Sequence, residues 1–416
     1  MNSYLENFIK VIYRASIINP IESSRCSFYR DGGLLINNGV IEDIDCFDDV
    51  CSNAGSDVPI IELDGVILPG FVDVHLHWVQ YKAKGLYSGE LLTWLRESIW
   101  PEESLYVDVE LATSAAKKFY GDLLRAGTVM GLSYSSPHAR ATKIAIDLMR
   151  GDWVVGNVLM STNAPNYLTD FSLHDSDSLR AFMSHIDLRH YAVTPRFAPN
   201  LSLFQLKVLG EIAVESGVII QTHLAESCEE VEWVRELFPE ADNYTDVYDR
   251  AGLLGRNTVL GHCIEMSDSE WRCLAERGCW VAHCPTSNEA LGNRRMPLEK
   301  VREYNIPYAL ATDIGAGPSH SMLHVLQRFF ALHKAAGVSI DHEDAIYRAT
   351  LAGAEAMGRS LVAGNLSAGK RADFVLLPGM ASKDHWEGWL EDCISGSMSE
   401  LETRPLGTWL SGKRVF

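Results

Sequence analysis

Several features are missing from this 416-residue chain, and each absence narrows what it can do. No eighteen apolar residues run together, so no membrane-spanning helix is expected. The stretch 1–20 carries Lys10 and Arg14 but lacks the unbroken apolar segment of a secretory signal. Basic residues are in deficit, 36 Lys+Arg against 55 Asp+Glu, giving a formal net charge of −19. Such a field repels polyanions, so neither nucleic acid nor an anionic membrane surface is an expected partner. The nine cysteines are scattered, odd in number and include no CxxC pair. That usage suits a reducing compartment, where thiols act as small core residues, and the expected location is cytoplasmic. No Gly-rich phosphate loop follows an early strand, which argues against a doubly wound dinucleotide-binding fold.

What remains is ordinary globular composition, 47% apolar and 22% charged, on a chain long enough for one large domain and a smaller one. Both ends read as short strands. Residues 33–41 place two apolar runs around an Asn38-Gly39 turn, 60–68 form a further run, and 369–377 and 408–415 repeat the pattern near the C-terminus. The middle alternates apolar runs, at 71–76, 128–132, 153–160, 191–194, 218–223, 258–262, 280–283 and 308–312, with helical patterns such as 107–124, 139–149, 203–215, 228–237, 268–277 and 298–304. Eight such runs, each followed by a helix, are what a (β/α)₈ barrel requires, with both termini building one small β domain. The expected division is 1–68 and 361–416 for the β domain and 69–360 for the barrel.

The strand ends carry the chemistry. His75 and His77 close the first run two residues apart, so on a strand they face the same side. Two imidazoles on one face of an apolar strand are costly unless something binds them, and metal ligation is the natural use. The fifth run ends in His223 with Glu226 three residues on, a spacing that suits a metal ligand and a proton shuttle. The sixth ends in His262 and the eighth in Asp313, which leads into Ile314-Gly315-Ala316-Gly317, a loop and not a helix start. Histidines and one aspartate converging on one barrel mouth suit Zn²⁺ first and Fe²⁺ second. The fourth run ends without a lysine that could bridge a second ion. A single-metal hydrolytic site, one ion per subunit with its bound water as nucleophile, is therefore expected.

These residues stand in Pro69-Gly70-Phe71-Val72-Asp73-Val74-His75-Leu76-His77, followed by His223, His262, Asp313 and Gly369-Lys370-Arg371-Ala372-Asp373-Phe374. In this the chain resembles the amidohydrolase superfamily over nearly its whole length. It resembles the guanine deaminases within it through His77-Trp78-Val79-Gln80, Leu91-Leu92-Thr93-Trp94-Leu95, Trp100-Pro101-Glu102-Glu103, Thr194-Pro195-Arg196-Phe197-Ala198-Pro199, Cys284-Pro285-Thr286-Ser287-Asn288 and Thr312-Asp313-Ile314-Gly315-Ala316-Gly317. The resemblance implies an α/β fold, a distorted (β/α)₈ TIM barrel with a small composite β-sandwich domain formed by both termini, assembled as a homodimer. It implies that His75, His77, His223 and Asp313 hold the zinc, with His262 at the metal or on its water. Glu226 would protonate ring N3 of guanine as zinc-bound hydroxide attacks C2, and Asp313 would take the proton from the water. Gln80, Arg196 and Phe197 would bind the purine, Arg196 as a donor fork to O6, Phe197 by stacking and Gln80 by its mixed amide. The expected products are xanthine and ammonia.

The chain departs from that pattern after Asn288, where Glu289-Ala290-Leu291-Gly292-Asn293-Arg294-Arg295-Met296 brings in charge. We read Arg294 and Arg295 as a solvated surface pair. The alternative is a changed substrate, such as 8-oxoguanine, a pterin or another aminated ring, and a bulky Trp78 beside the ligands could narrow the pocket. A non-catalytic scaffold would have lost ligands or Glu226, and all are present. Cys228, Cys263 and Cys284 are read as packing residues, as are Trp271, Trp280 and Trp409. His283 is read equally as structural or pocket-lining.

Overall fold

A computed structural model describes residues 10–87, 91–173, 175–379 and 385–416. The first nine residues of the expected 1–68 segment lie outside them. Fifteen strands follow in chain order. They are β1 (Lys10–Glu22), β2 (Arg25–Asn37), β3 (Val40–Cys46), β4 (Ile60–Pro69), β5 (Phe71–His77), β6 (Thr128–Ser135), β7 (Asp152–Leu159), β8 (Ala192–Pro195), β9 (Ile219–Leu224), β10 (Thr258–His262), β11 (Trp280–His283), β12 (Tyr308–Leu310), β13 (Phe374–Leu377), β14 (Gly407–Leu410) and β15 (Lys413–Arg414). Among the described residues no helix is long and apolar enough to cross a membrane.

The chain divides into two compact units. The described part of Met1–Asp73, with Gly121–Met130 and Ser321–Phe416, forms one, and Val74–Tyr120 with Gly131–His320 forms the other. The first unit carries a seven-stranded sheet in the order β15-β14-β13-β4-β1-β2-β3, so both ends of the chain build it, as expected. The expected turn at Asn38-Gly39 joins β2 to β3, with both residues at positive φ, and sets the pairing Asn37↔Val40. β4 lies parallel to β1 and antiparallel to β13, stitching the N-terminal hairpin to the C-terminal strands. Tyr13, Phe374 and Trp409 interlock in the core of this sheet, the last two stacked at 4.7 Å. Aromatic residues from both chain ends thus fill one apolar layer.

The eight remaining strands form a second sheet in unbroken sequential order from β5 to β12, the (β/α)₈ arrangement. Neighbouring strands from β7 to β12 all pair in parallel. β5, β6, β7 and β10 are buried along their whole length, as continuous apolar runs covered on both faces must be. β12 stops at Leu310, two residues short of the expected end, and the chain beyond it bonds back to β5. Asp313 N donates to His75 O at 2.8 Å, and His77 N donates to Ile314 O at 3.0 Å. The helices fall where periodicity puts them, for example Leu203–Ser216, Cys228–Leu237 and Asp268–Arg277, each begun by a serine cap. Not expected is the run of short helical turns over 91–107 that precedes the long helix Val109–Arg125.

Candidate active site

All expected site residues belong to the second unit and meet at one mouth. His75 and His77 end β5, His223 lies near the end of β9, His262 ends β10, and Asp313 follows β12. Asp313 Oδ1 stands 3.5 Å from His75 Nε2 and 3.3 Å from His77 Nε2, while its Oδ2 is 3.8 Å from His262 Nε2. The ring of His223 lies 4.7 Å from that of His75 and 5.3 Å from that of His77. Ligand atoms of His75, His77 and His223 lie within 4.8 Å of one another, as do those of His75, His262, Cys284 and Asp313.

The backbone is bent to make this convergence. His262, Cys263 and Asp313 all have positive φ, as does Ala225 beside Glu226. Holding a non-glycine residue there costs roughly 1–3 kcal/mol, and such strain gathers where side chains must be aimed. Gly315, at φ 118°, clears the space that Gln80 fills, since a Cβ there would come 2.4 Å from Gln80 Oε1.

The donor set fits a divalent cation. His223 Nδ1 donates to Arg196 O at 2.8 Å and His262 Nδ1 to Asn288 Oδ1 at 3.0 Å, which leaves each Nε2 with its lone pair turned to the centre. His262 Nε2 is buried without a hydrogen-bond partner among the described residues. An imidazole nitrogen left so is costly unless a cation takes its lone pair. Burial holds the His75 imidazole down to about 4 and His223 well below its usual range, so both favour the neutral form that a cation would need. Burial alone would raise the Asp313 carboxyl, but hydrogen bonds from His75 and His77 hold it well below the usual carboxylate range. Beneath the cluster the Tyr134 ring packs 4.6 Å from His77, 4.7 Å from His75 and 4.9 Å from His223.

Glu226 is buried just ahead of the Ser227 cap, its Oε2 3.5 Å from His262 Nε2. Burial, then the charges of Asp313 and Glu230, push its carboxyl well above the usual range. Asn293 Nδ2 donates to Glu226 Oε1 at 3.3 Å. Beside this centre lies a cavity lined on its polar side by Gln80, Arg196 and Glu226 and on its apolar side by Phe197, Leu91, Trp94 and Leu95. Phe197 is held edge-on by Trp233 at 5.8 Å.

Several participants were not singled out from sequence. Glu103, fully buried, bonds both Arg196 and Gln80. Asn288 orients His262, Asn293 reaches Glu226, and Cys284, read as packing only, brings its thiol among the ligand atoms. Glu103 and Asn288 stand inside motifs already quoted, but only the folded chain supplies their partners. Trp78 does not line the cavity and instead packs edge-on against Tyr106 at 4.9 Å. Arg294, 75% exposed and paired with Glu265, fits the solvated reading, whereas Arg295 is only 20% exposed and bonds Glu299 and Met296 O.

A profile described as "Amidohydrolase family" matches residues 66–414. The guanine deaminase of Escherichia coli K12 is 34% identical over 371 residues, spanning 87% of this chain and 84% of its own. A solved E. coli guanine deaminase superposes with a TM-score of 0.87 at 30% identity, covering 98% of this chain and 99% of its own. One from C. acetobutylicum, with guanine bound in its active site, gives 0.84 at 25% identity over 98% and 100%.

Proposed function

Since the chain belongs to the amidohydrolase family and is a guanine deaminase-like hydrolytic enzyme, we propose that it converts guanine and water to xanthine and ammonia. The observation that carries this reading is a buried Glu226 set between the imidazole–carboxylate cluster and a cavity flanked by Arg196, Phe197 and Gln80. His75, His77, His223 and Asp313 would hold one Zn²⁺, with His262 at the metal or on its water, and Fe²⁺ is the second ion suited to these donors. The ion supplies Lewis acidity that brings the pKa of a water toward ~7.

The chain's own groups do the rest. Arg196 donates to O6, fixing the ring and drawing electron density from C2. Phe197 stacks on the ring face, while Leu91, Trp94 and Leu95 keep bulk water from it. Glu226 delivers its proton to N3 as the C–O bond forms at C2. Asp313 takes the proton released from the water, with His262 orienting that water, and this proton passes to the departing amine as the C–N bond breaks, while the C2 hydroxyl gives its proton back to Glu226 as the carbonyl forms. The same reading places catalysis in 69–360 and makes the protein a cytoplasmic homodimer, which light scattering of the purified chain tests.

The decisive experiment follows the ultraviolet spectrum of guanine with zinc-loaded protein beside a Glu226→Gln variant. Conversion to xanthine by wild type alone supports the reading. A wild-type chain that holds zinc and leaves guanine unchanged overturns it, and 8-oxoguanine and pterins are then assayed in its place.

A further inference from the structure

The buried acid Glu103 has no part in the steps above, yet it touches two of the groups that would read the purine. It sits on the short helix Trp100–Ser104, within the helical run between β5 and β6, and is completely shielded from solvent. One carboxylate oxygen accepts from Arg196 Nη1 at 2.6 Å, and the other accepts from Gln80 Nε2 at 2.8 Å. Arg196 itself is 3% exposed, so its charge has little water to screen it.

Two consequences follow from that geometry. A desolvated guanidinium standing alone would present a full positive charge to the cavity and would favour an anionic ligand. Paired with a carboxylate, the corner is neutral overall, and the remaining guanidinium N–H groups offer hydrogen bonds to an uncharged carbonyl. A carboxylate also accepts only, so it fixes which end of the Gln80 amide faces it, the amine end. Recognition of the ring edge is thereby set before the ligand arrives.

We propose that Glu103 is a positioning and specificity residue that neutralises Arg196 and orients Gln80, so that the site selects a neutral oxo-purine against an anionic one. This rests on the guanine reading and deepens it. It also bears on turnover, because xanthine is more acidic than guanine and is released more readily as its anion from a corner that carries no net positive charge.

The test compares wild type with Glu103→Gln and Glu103→Asp, after melting curves and bound zinc have been matched. Guanine KM and kcat are measured, and xanthine is titrated as an inhibitor in neutral and mildly alkaline buffer, where it becomes anionic. E103Q is expected to raise guanine KM about 10- to 100-fold, the range for losing a charged hydrogen bond, with a smaller change in kcat. In the same variant alkaline xanthine binds more tightly relative to guanine than it does in wild type, and E103D restores the wild-type ratio. A merely structural role would weaken both ligands equally, and that result, or a guanine KM within twofold of wild type, overturns the proposal. If E103Q does not fold, Arg196→Gln reads the same pair from its other side. It leaves Glu103 uncompensated and is expected to disfavour the xanthine anion further, whereas an unchanged preference overturns the proposal. A wild-type chain that turns over no guanine but binds it neutral and rejects the xanthine anion retains the charge selection and overturns only the catalytic reading.

Discussion

The proposed reaction sets Glu226 two conflicting demands, burial to hold a proton and reach to the ring to give it up. Burial beside Asp313 and Glu230 raises its carboxyl, and the chain turns just before it at Ala225, which has positive φ. Glu226→Gln keeps the size and the hydrogen bonding but removes the transferable proton. It is expected to lower kcat about 10²- to 10⁴-fold with zinc content unchanged, as read by steady-state kinetics and metal analysis. Gly261 offers a different lever. A Cβ there would stand 2.6 Å from Cε1 of His75, so Gly261→Ala must displace that imidazole while leaving the β9–β10 pairing in place. The expected result is a folded protein whose zinc is lost to a competing chelator about 10- to 100-fold more readily. The convergence of His75, His77, His223, His262 and Asp313 was legible in sequence because strand ends of a barrel share one mouth. Glu103 and Asn293 were not, because their partners lie 23 to 93 residues away and no periodicity marks them.

Secondary-structure elements were legible in proportion to their regularity. The apolar runs at 71–76 and 258–262 were legible as short unbroken runs bounded by turn residues, and the helix at 228–237 by its 3.6-residue period. The helical turns over 91–107 were not legible because they are pieces of three to five residues, Leu91–Trp94, Leu95–Ile99, Trp100–Ser104 and Leu105–Val107, with Pro101 among them. Only packing holds such fragments. Leu91, Trp94, Leu95, Ile99 and Trp100 share a buried cluster with Tyr134, Val158 and Met160, and Trp94 Nε1 donates to Leu86 O at 2.7 Å. This segment forms the apolar wall of the cavity and also carries Glu103, so its seating governs recognition. Trp94→Ala removes the wall's largest side chain and its anchoring hydrogen bond. The variant is expected to lose about 3–5 kcal/mol of stability, seen as a lowered melting temperature, and to raise guanine KM more than it lowers kcat.

Across the whole molecule the acidic balance and the buried centre give stability a pH dependence whose parts can be separated. His75 stays neutral in the metal-free fold down to about 4, whereas unfolded it takes up a proton near 6.5. Between those values the unfolded chain binds more protons, so stability falls as pH drops through the window, by on the order of 3 kcal/mol for this residue. His223, also held below its usual range, acts with the same sign. Glu226 acts with the opposite sign. Its folded carboxyl is raised by burial, so above 4.5 the unfolded chain gives up that proton first, and stability falls as pH rises. The overall charge of −19 also shrinks in magnitude on acidification, which relieves repulsion, but wild type and Glu226→Gln share nearly all of that change. Their difference therefore isolates Glu226. In metal-free protein the melting temperature of E226Q is expected to climb more steeply between pH 4 and 6.5 than that of wild type, and to exceed it at neutral pH. Parallel melting profiles would mean that Glu226 ionises as an ordinary carboxylate, and the proton it is to give to N3 would have to come from elsewhere.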